Sequence, residues 1–134
     1  ALPCDAPLTA QARAGQFQKQ GEVATARELL LFLESLDGIT SRVTSDHVLN
    51  LFPEVEGKLS RDRNAMIRPI KEFLALDPYE QMLYCMGRRS RTMGGMQDLH
   101  DPACREKARQ LCCKLDVSVN NMDAMIDRIM VEFI

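Results

Sequence analysis

The stretch Glu22-Val23-Ala24-Thr25-Ala26-Arg27-Glu28-Leu29-Leu30-Leu31-Phe32-Leu33-Glu34-Ser35-Leu36 decides the fold class. Val23, Ala26, Leu29, Leu30, Leu33 and Leu36 recur at three- and four-residue spacing, while Glu22, Arg27, Glu28 and Glu34 stand off that line. That is the period of an amphipathic helix, not the two-residue alternation of a strand. Asp37-Gly38 follows as a stop, because glycine readily takes the left-handed conformation that ends a helix.

The same signals repeat on both sides. Upstream, Thr9 is placed to cap a helix running to about Gln20, with Phe17 as its large apolar anchor, and Gly21 separates it from the next. Downstream, Ser45 is placed to cap a short helix carrying Val48, Leu49 and Phe52 and ended by Pro53. Ser60 opens a helix whose inward side is Met66, Ile67, Ile70, Phe73, Leu74 and Leu76. Pro69 falls inside it, and a kink or break is expected there because proline lacks the backbone donor and clashes with the preceding turn.

Asp77-Pro78 and Asp101-Pro102 are paired start signals, an Asp cap followed by Pro at the first helical position. The first helix carries Met82, Leu83 and Met86 and stops at Gly87; the second runs to about Leu115. Asn120 is placed to cap a last helix with Met122, Ile126, Ile129, Met130 and Phe133 on one face. No two-residue alternation occurs. The expected fold is therefore all-α, an irregular bundle of roughly five to seven short helices in a single domain over 1–134, with a tail over 1–8 and a flexible basic loop over 87–100.

A chain of 134 residues with 46% apolar and 27% charged residues has enough apolar matter for a true core, and this balance argues against both disorder and a membrane span. Its longest apolar run, Leu29 to Leu33, is far short of the ~18 residues a spanning helix requires. Net charge is −2, which gives no drive toward nucleic acid. The distribution is uneven. Residues 87–114 hold seven basic and three acidic side chains, against ten and sixteen elsewhere.

Five cysteines, and a start at Ala1-Leu2-Pro3-Cys4 without an initiator Met, read as an exported, disulfide-braced chain with a mature N-terminus. Connectivity is not fixed by sequence alone. On the helix opened by Pro102, Cys104, Ala108, Leu111, Cys112 and Leu115 form one stripe, and Cys113 lies about 100° round from it. If the helices bearing Cys85 and Cys104 run antiparallel, these two residues meet at one end. The expected bridges are Cys85–Cys104 and Cys4–Cys112, leaving Cys113 exposed for an intermolecular bridge in a disulfide-linked homodimer. Arg109, one turn before Cys113, would favour its thiolate.

Catalysis finds little footing. His47 and His100 sit in unrelated contexts. No CxxC, HExxH or calcium-loop spacing is present, and no cofactor or metal is called for. The sharpest local feature is Arg88-Arg89-Ser90-Arg91, set between Gly87 and Gly94-Gly95. Three exposed guanidiniums there could grip carboxylate, sulfate or phosphate groups. Met93 and Met96 in the same loop offer adaptable apolar contact. Arg88, Arg89, Arg91, Met93 and Met96 thus form the expected contact surface of a secreted, non-enzymatic protein-binding factor, of the signal, pheromone, hormone or effector kind. Its partner would be a protein receptor or a cell-surface anionic group. Two alternatives stand beside it: a carrier of an apolar small molecule such as a lipid or odorant in a helical cavity, and a disulfide-linked structural or matrix component. Neither a nucleic-acid partner nor a membrane span is expected.

Overall fold

The computed structural model describes residues 7–45, 47 and 50–131. Over these the chain forms six α-helices: α1 Pro7–Arg13, α2 Glu22–Ser35, α3 Leu59–Ala75, α4 Pro78–Arg89, α5 Pro102–Lys114 and α6 Met122–Val131. A short 3-10 helix, Met96–His100, lies between α4 and α5. The protein is mostly helical, and no described helix is long and apolar enough to cross a membrane. One antiparallel pair interrupts the helices. β1, Arg42–Val43, lies against β2, Gly57–Lys58, in the register Arg42 to Lys58 and Val43 to Gly57. Strands of two residues are too short to show an alternating pattern, which is why the sequence gives no sign of them.

Local signals set most boundaries. Asp77 Oδ1 accepts from the Tyr79 and Glu80 amides at 2.9 and 3.0 Å, and Asp101 Oδ1 accepts from Ala103 and Cys104 at 2.7 and 3.0 Å. Both Asp-Pro starts act as read. α1 is shorter than expected. Gly15 has a φ of +71°, its amide reaches Ala12 O, and the Gln16 amide reaches Gln11 O. This is the Schellman closure, so Gly15 ends the helix well before Gly21. α3 begins at Leu59, one residue before Ser60, and Asp62 reaches back to accept from the Lys58 amide at 2.9 Å. Pro69 does not break α3. It is buried together with Met66, Ile67, Ile70 and Phe73, and this packing on both sides of it offsets the roughly 3 kcal/mol that an interior proline costs.

Of the short helix expected after Ser45, Val48 and Leu49 lie outside the described residues. Phe52 is buried. α4 runs two residues past Gly87, to Arg89. Of the last helix's expected face, Met122 and Ile126 are buried, and Phe133 lies outside the described residues. At the start of that helix it is Asn121 that accepts from the Ser118 amide, not Asn120.

The core centres on three rings. Phe52 meets Phe73 edge-on at 5.5 Å, and Tyr84 lies 6.2 and 5.6 Å from the two. α2 packs on α3, and α4 on α5 and α6. The relation of α4 to α5 differs from the antiparallel pair expected. Glu80 near the start of α4 takes a forked ion pair from Arg105 near the start of α5, with contacts of 2.5 and 2.7 Å. The two helices therefore meet start to start, and residues 90–101 carry the chain back between them. With the starts of the two helices together, Cys85, in the second half of α4, and Cys104, at the start of α5, both remain free thiols, so the expected Cys85–Cys104 bridge does not form.

Candidate binding surfaces

The basic stretch Arg88–Arg91 is not an exposed loop. Arg88 closes the inner side of α4 and is only 4% exposed. Its guanidinium donates to Asn50 O from Nε and Nη2, at 3.2 and 2.5 Å, and to Met93 O from Nη1 at 2.8 Å. A buried cation is costly unless hydrogen-bonded, and these carbonyls supply what water would. Arg89 Nη2 donates to Glu22 Oε2 at 2.6 Å, with both side chains mostly buried. Arg91 is exposed and sits at a φ of 62°.

Met93 and Met96 are core residues, 1% and 6% exposed. Gly87 explains how. A Cβ there would come within 2.6 Å of Met93 Sδ, so the missing side chain lets Met93 fold flat against α4. The Ser90 hydroxyl fastens the turn by donating to Met86 O at 2.7 Å. The surface expected from Arg88, Arg89, Arg91, Met93 and Met96 is thus not assembled. Two arginines and both methionines serve the interior. Charge suggested solvent, and the carbonyls that satisfy Arg88 leave no mark in the sequence.

The Glu22–Arg89 pair borders a half-open apolar cavity of about 310 Å³. Its walls are the inner side of α2 at Thr25, Ala26 and Leu29, the β1 side at Val43 and Thr44, and the 50–55 segment at Phe52 and Val55. The pair is held from below. Asp123 Oδ1 of α6 accepts from the Glu22 amide at 2.9 Å and so caps α2 from another helix. Cys85 lies beneath this group, fully buried. Burial pushes its thiol far up from the ordinary value, and the Glu22 charge adds to the effect.

The adjoining outer side of α2, which shares Leu29 with the cavity, shows a different character. Leu31 and Phe32 are 65% and 55% exposed. Together with Leu29, Glu28 and Ser35 they line a shallow apolar depression. They are the most exposed large apolar side chains among the described residues. Neighbours in sequence, they form a patch and are not scattered single residues.

The four described cysteines are free thiols. Cys85 and Cys112 are buried, Cys104 is half-buried and Cys113 is exposed. Cys4, the expected partner of Cys112, lies outside the described residues. Arg109, one turn before Cys113, forks onto Glu106 at 2.8 and 2.7 Å. Among the described residues no three His, Cys, Asp or Glu side chains gather closely enough to hold a metal ion.

No family model, curated protein or solved structure matches the chain.

Proposed function

We propose that this chain is a non-catalytic protein-binding domain whose contact surface is the outer face of α2, and that this face receives a second copy of the chain. The observation that carries the reading is the adjacent exposure of Leu31 and Phe32 on a regular helix. Of the arginines expected to meet a receptor or an anionic surface, Arg88 and Arg89 are turned inward, so the contact moves to α2. Oxidised sulfur is one ground for export and the ground for a covalent dimer. With four thiols free, the proposal carries neither a compartment nor a bridge.

A second copy is favoured by charge. Arg27 precedes Leu31 by four residues, and Glu34 follows it by three. At 100° per residue both lie on one flank of Leu31. When two identical helices pair antiparallel across a two-fold axis at Leu31, each flank faces its own copy in reverse. Arg27 then meets Glu34 of the other chain, with an axial mismatch of about 1.5 Å. Arg27 has no partner among the described residues, while Glu34 is held by Lys71 at 2.7 Å and would be shared. Exposed ion pairs are worth only about 0.2–1 kcal/mol each, so the apolar side chains drive the contact and the charges set its register. Two leucines and two phenylalanines, each partly buried already, contribute roughly 3–6 kcal/mol. That is a weak dimer, no tighter than the micromolar range.

Sedimentation equilibrium from about 10 μM to about 1 mM tests the proposal. The wild-type chain dimerises across this range, and Leu31→Ser with Phe32→Ser is monomeric with an unchanged circular dichroism spectrum. Arg27→Glu alone weakens the dimer, and Arg27→Glu with Glu34→Arg restores it. A wild-type chain that stays monomeric throughout would overturn the proposal.

A further inference from the structure

We infer that the cavity between α2 and the 50–55 segment is a binding site for a small neutral amphiphile: an apolar body ending in one hydroxyl or primary amide. This site lies on the inner side of α2 and does not depend on the dimer.

The size suits a small ligand. About 310 Å³ falls at the lower end of the roughly 300–1,000 Å³ typical of ligand pockets. The walls are mainly apolar, with Ala26, Leu29, Val43, Phe52 and Val55 around the opening. The polar side chains of the lining are mostly engaged with the protein. Asn50 Nδ2 donates to Ser45 Oγ at 2.9 Å, and Thr25 Oγ1 donates to Gly21 O at 3.0 Å. The charged groups are Glu22 and Arg89, bound to each other, with side chains 10% and 16% exposed.

That pair selects the ligand. A carboxylate would compete with Glu22 for Arg89 and leave one buried anion unmatched. An ammonium would compete with Arg89 for Glu22 and leave one cation unmatched. Either outcome strands a charge away from water, which is expensive. A hydroxyl or primary amide can donate to Glu22 and accept from Arg89 while the pair stays closed, since both groups are donor and acceptor at once. The apolar remainder fills the space against Phe52 and Leu29.

The test is titration calorimetry on the whole chain at neutral pH with four probes of one chain length: hexanol, hexanamide, hexanoate and hexylamine. Hexanol and hexanamide bind at least about tenfold more tightly than the two charged probes. Thr25→Tyr, a substitution at an exposed position on the cavity rim, abolishes binding of all four while leaving the circular dichroism spectrum unchanged. Glu22→Gln frees the guanidinium and turns the preference toward hexanoate. Should Glu22→Gln not fold, the rim variant and the four-probe ranking decide alone. Failure of every probe to bind at millimolar concentration, a preference for hexanoate in the wild-type chain, or undiminished binding in a folded Thr25→Tyr variant would each overturn the inference.

Discussion

The carboxylate of Asp123 occupies the space in which a side chain on Gly21 would lie, and from there it accepts the first amide of α2, that of Glu22, at 2.9 Å. Gly21 has an ordinary φ of −75°, so the need for glycine here is one of room and not of backbone conformation. Gly21→Ala should therefore destabilise the chain, by about 1–3 kcal/mol, through forced displacement of α6. Asp123→Ala should cost about 1 kcal/mol, the loss of a helix cap. The double variant should cost less than the sum, because the alanine no longer meets a carboxylate. Urea denaturation of the three variants measures this, and simple additivity would argue against the contact.

Arg88 and Arg91, three residues apart, should behave oppositely. Arg88→Ala strands the carbonyls of Asn50 and Met93 and should cost about 2–5 kcal/mol. Arg91→Gly relieves a non-glycine residue at a φ of 62° and should be neutral or stabilising by up to about 1 kcal/mol. If both residues belonged to a solvated loop, both variants would fall within about 0.5 kcal/mol of wild type. Chemical denaturation separates the two outcomes.

Alkaline pH should destabilise the chain from about pH 9 upward. Burial raises the Cys85 thiol well above its ordinary 9.0. Burial, with the Glu54 charge, raises the Tyr84 hydroxyl well above 10.0. The native chain keeps both protons where the unfolded chain releases them. Their stabilisation is complete below about pH 9 and is lost as pH rises, at up to about 1.4 kcal/mol per pH unit for each group. In Cys85→Ala the decline above about pH 9 should be shallower, because only Cys112 and Cys104, whose thiols burial also raises, and then Tyr84 are left to drive it. Stability measured between pH 8 and 11 tests this, and a flat profile to pH 11 in the wild type would refute it. The same burial orders the thiols: a disulfide reagent should modify Cys113 first and Cys85 only on unfolding.

How much of this was legible in the sequence depends on the range of the interaction. The Asp77-Pro78 and Asp101-Pro102 starts and the periodicity of α2 are local, and each element stands where its residues place it. Gly15 is local too, but Ala10, Ala12 and Ala14 before it are strong helix formers and mask the stop. The orientation of α4 to α5 was not legible. It turns on Glu80 meeting Arg105, a contact made only after residues 90–101 have turned back. Arg88 was misread for a related reason: its partners are the backbone carbonyls of Asn50 and Met93, which any residues could supply. The patch at Leu31 and Phe32 was visible only as surplus. Those two residues lie off the buried line of α2, yet as leucine and phenylalanine they were counted with the apolar run.

Tyr84 and Arg88 stand one turn apart on α4, and they hold two consecutive carbonyls of the irregular segment, Leu51 at 2.6 Å and Asn50 at 2.5 Å. That segment has little regular pairing of its own and borrows its order from a neighbouring helix. A protease able to cut only opened backbone should find residues 50–52 resistant for as long as α4 keeps its last turns, and vulnerable the moment they fray. Cleavage there becomes a clock for the helix, and the wall of the cavity keeps the same time.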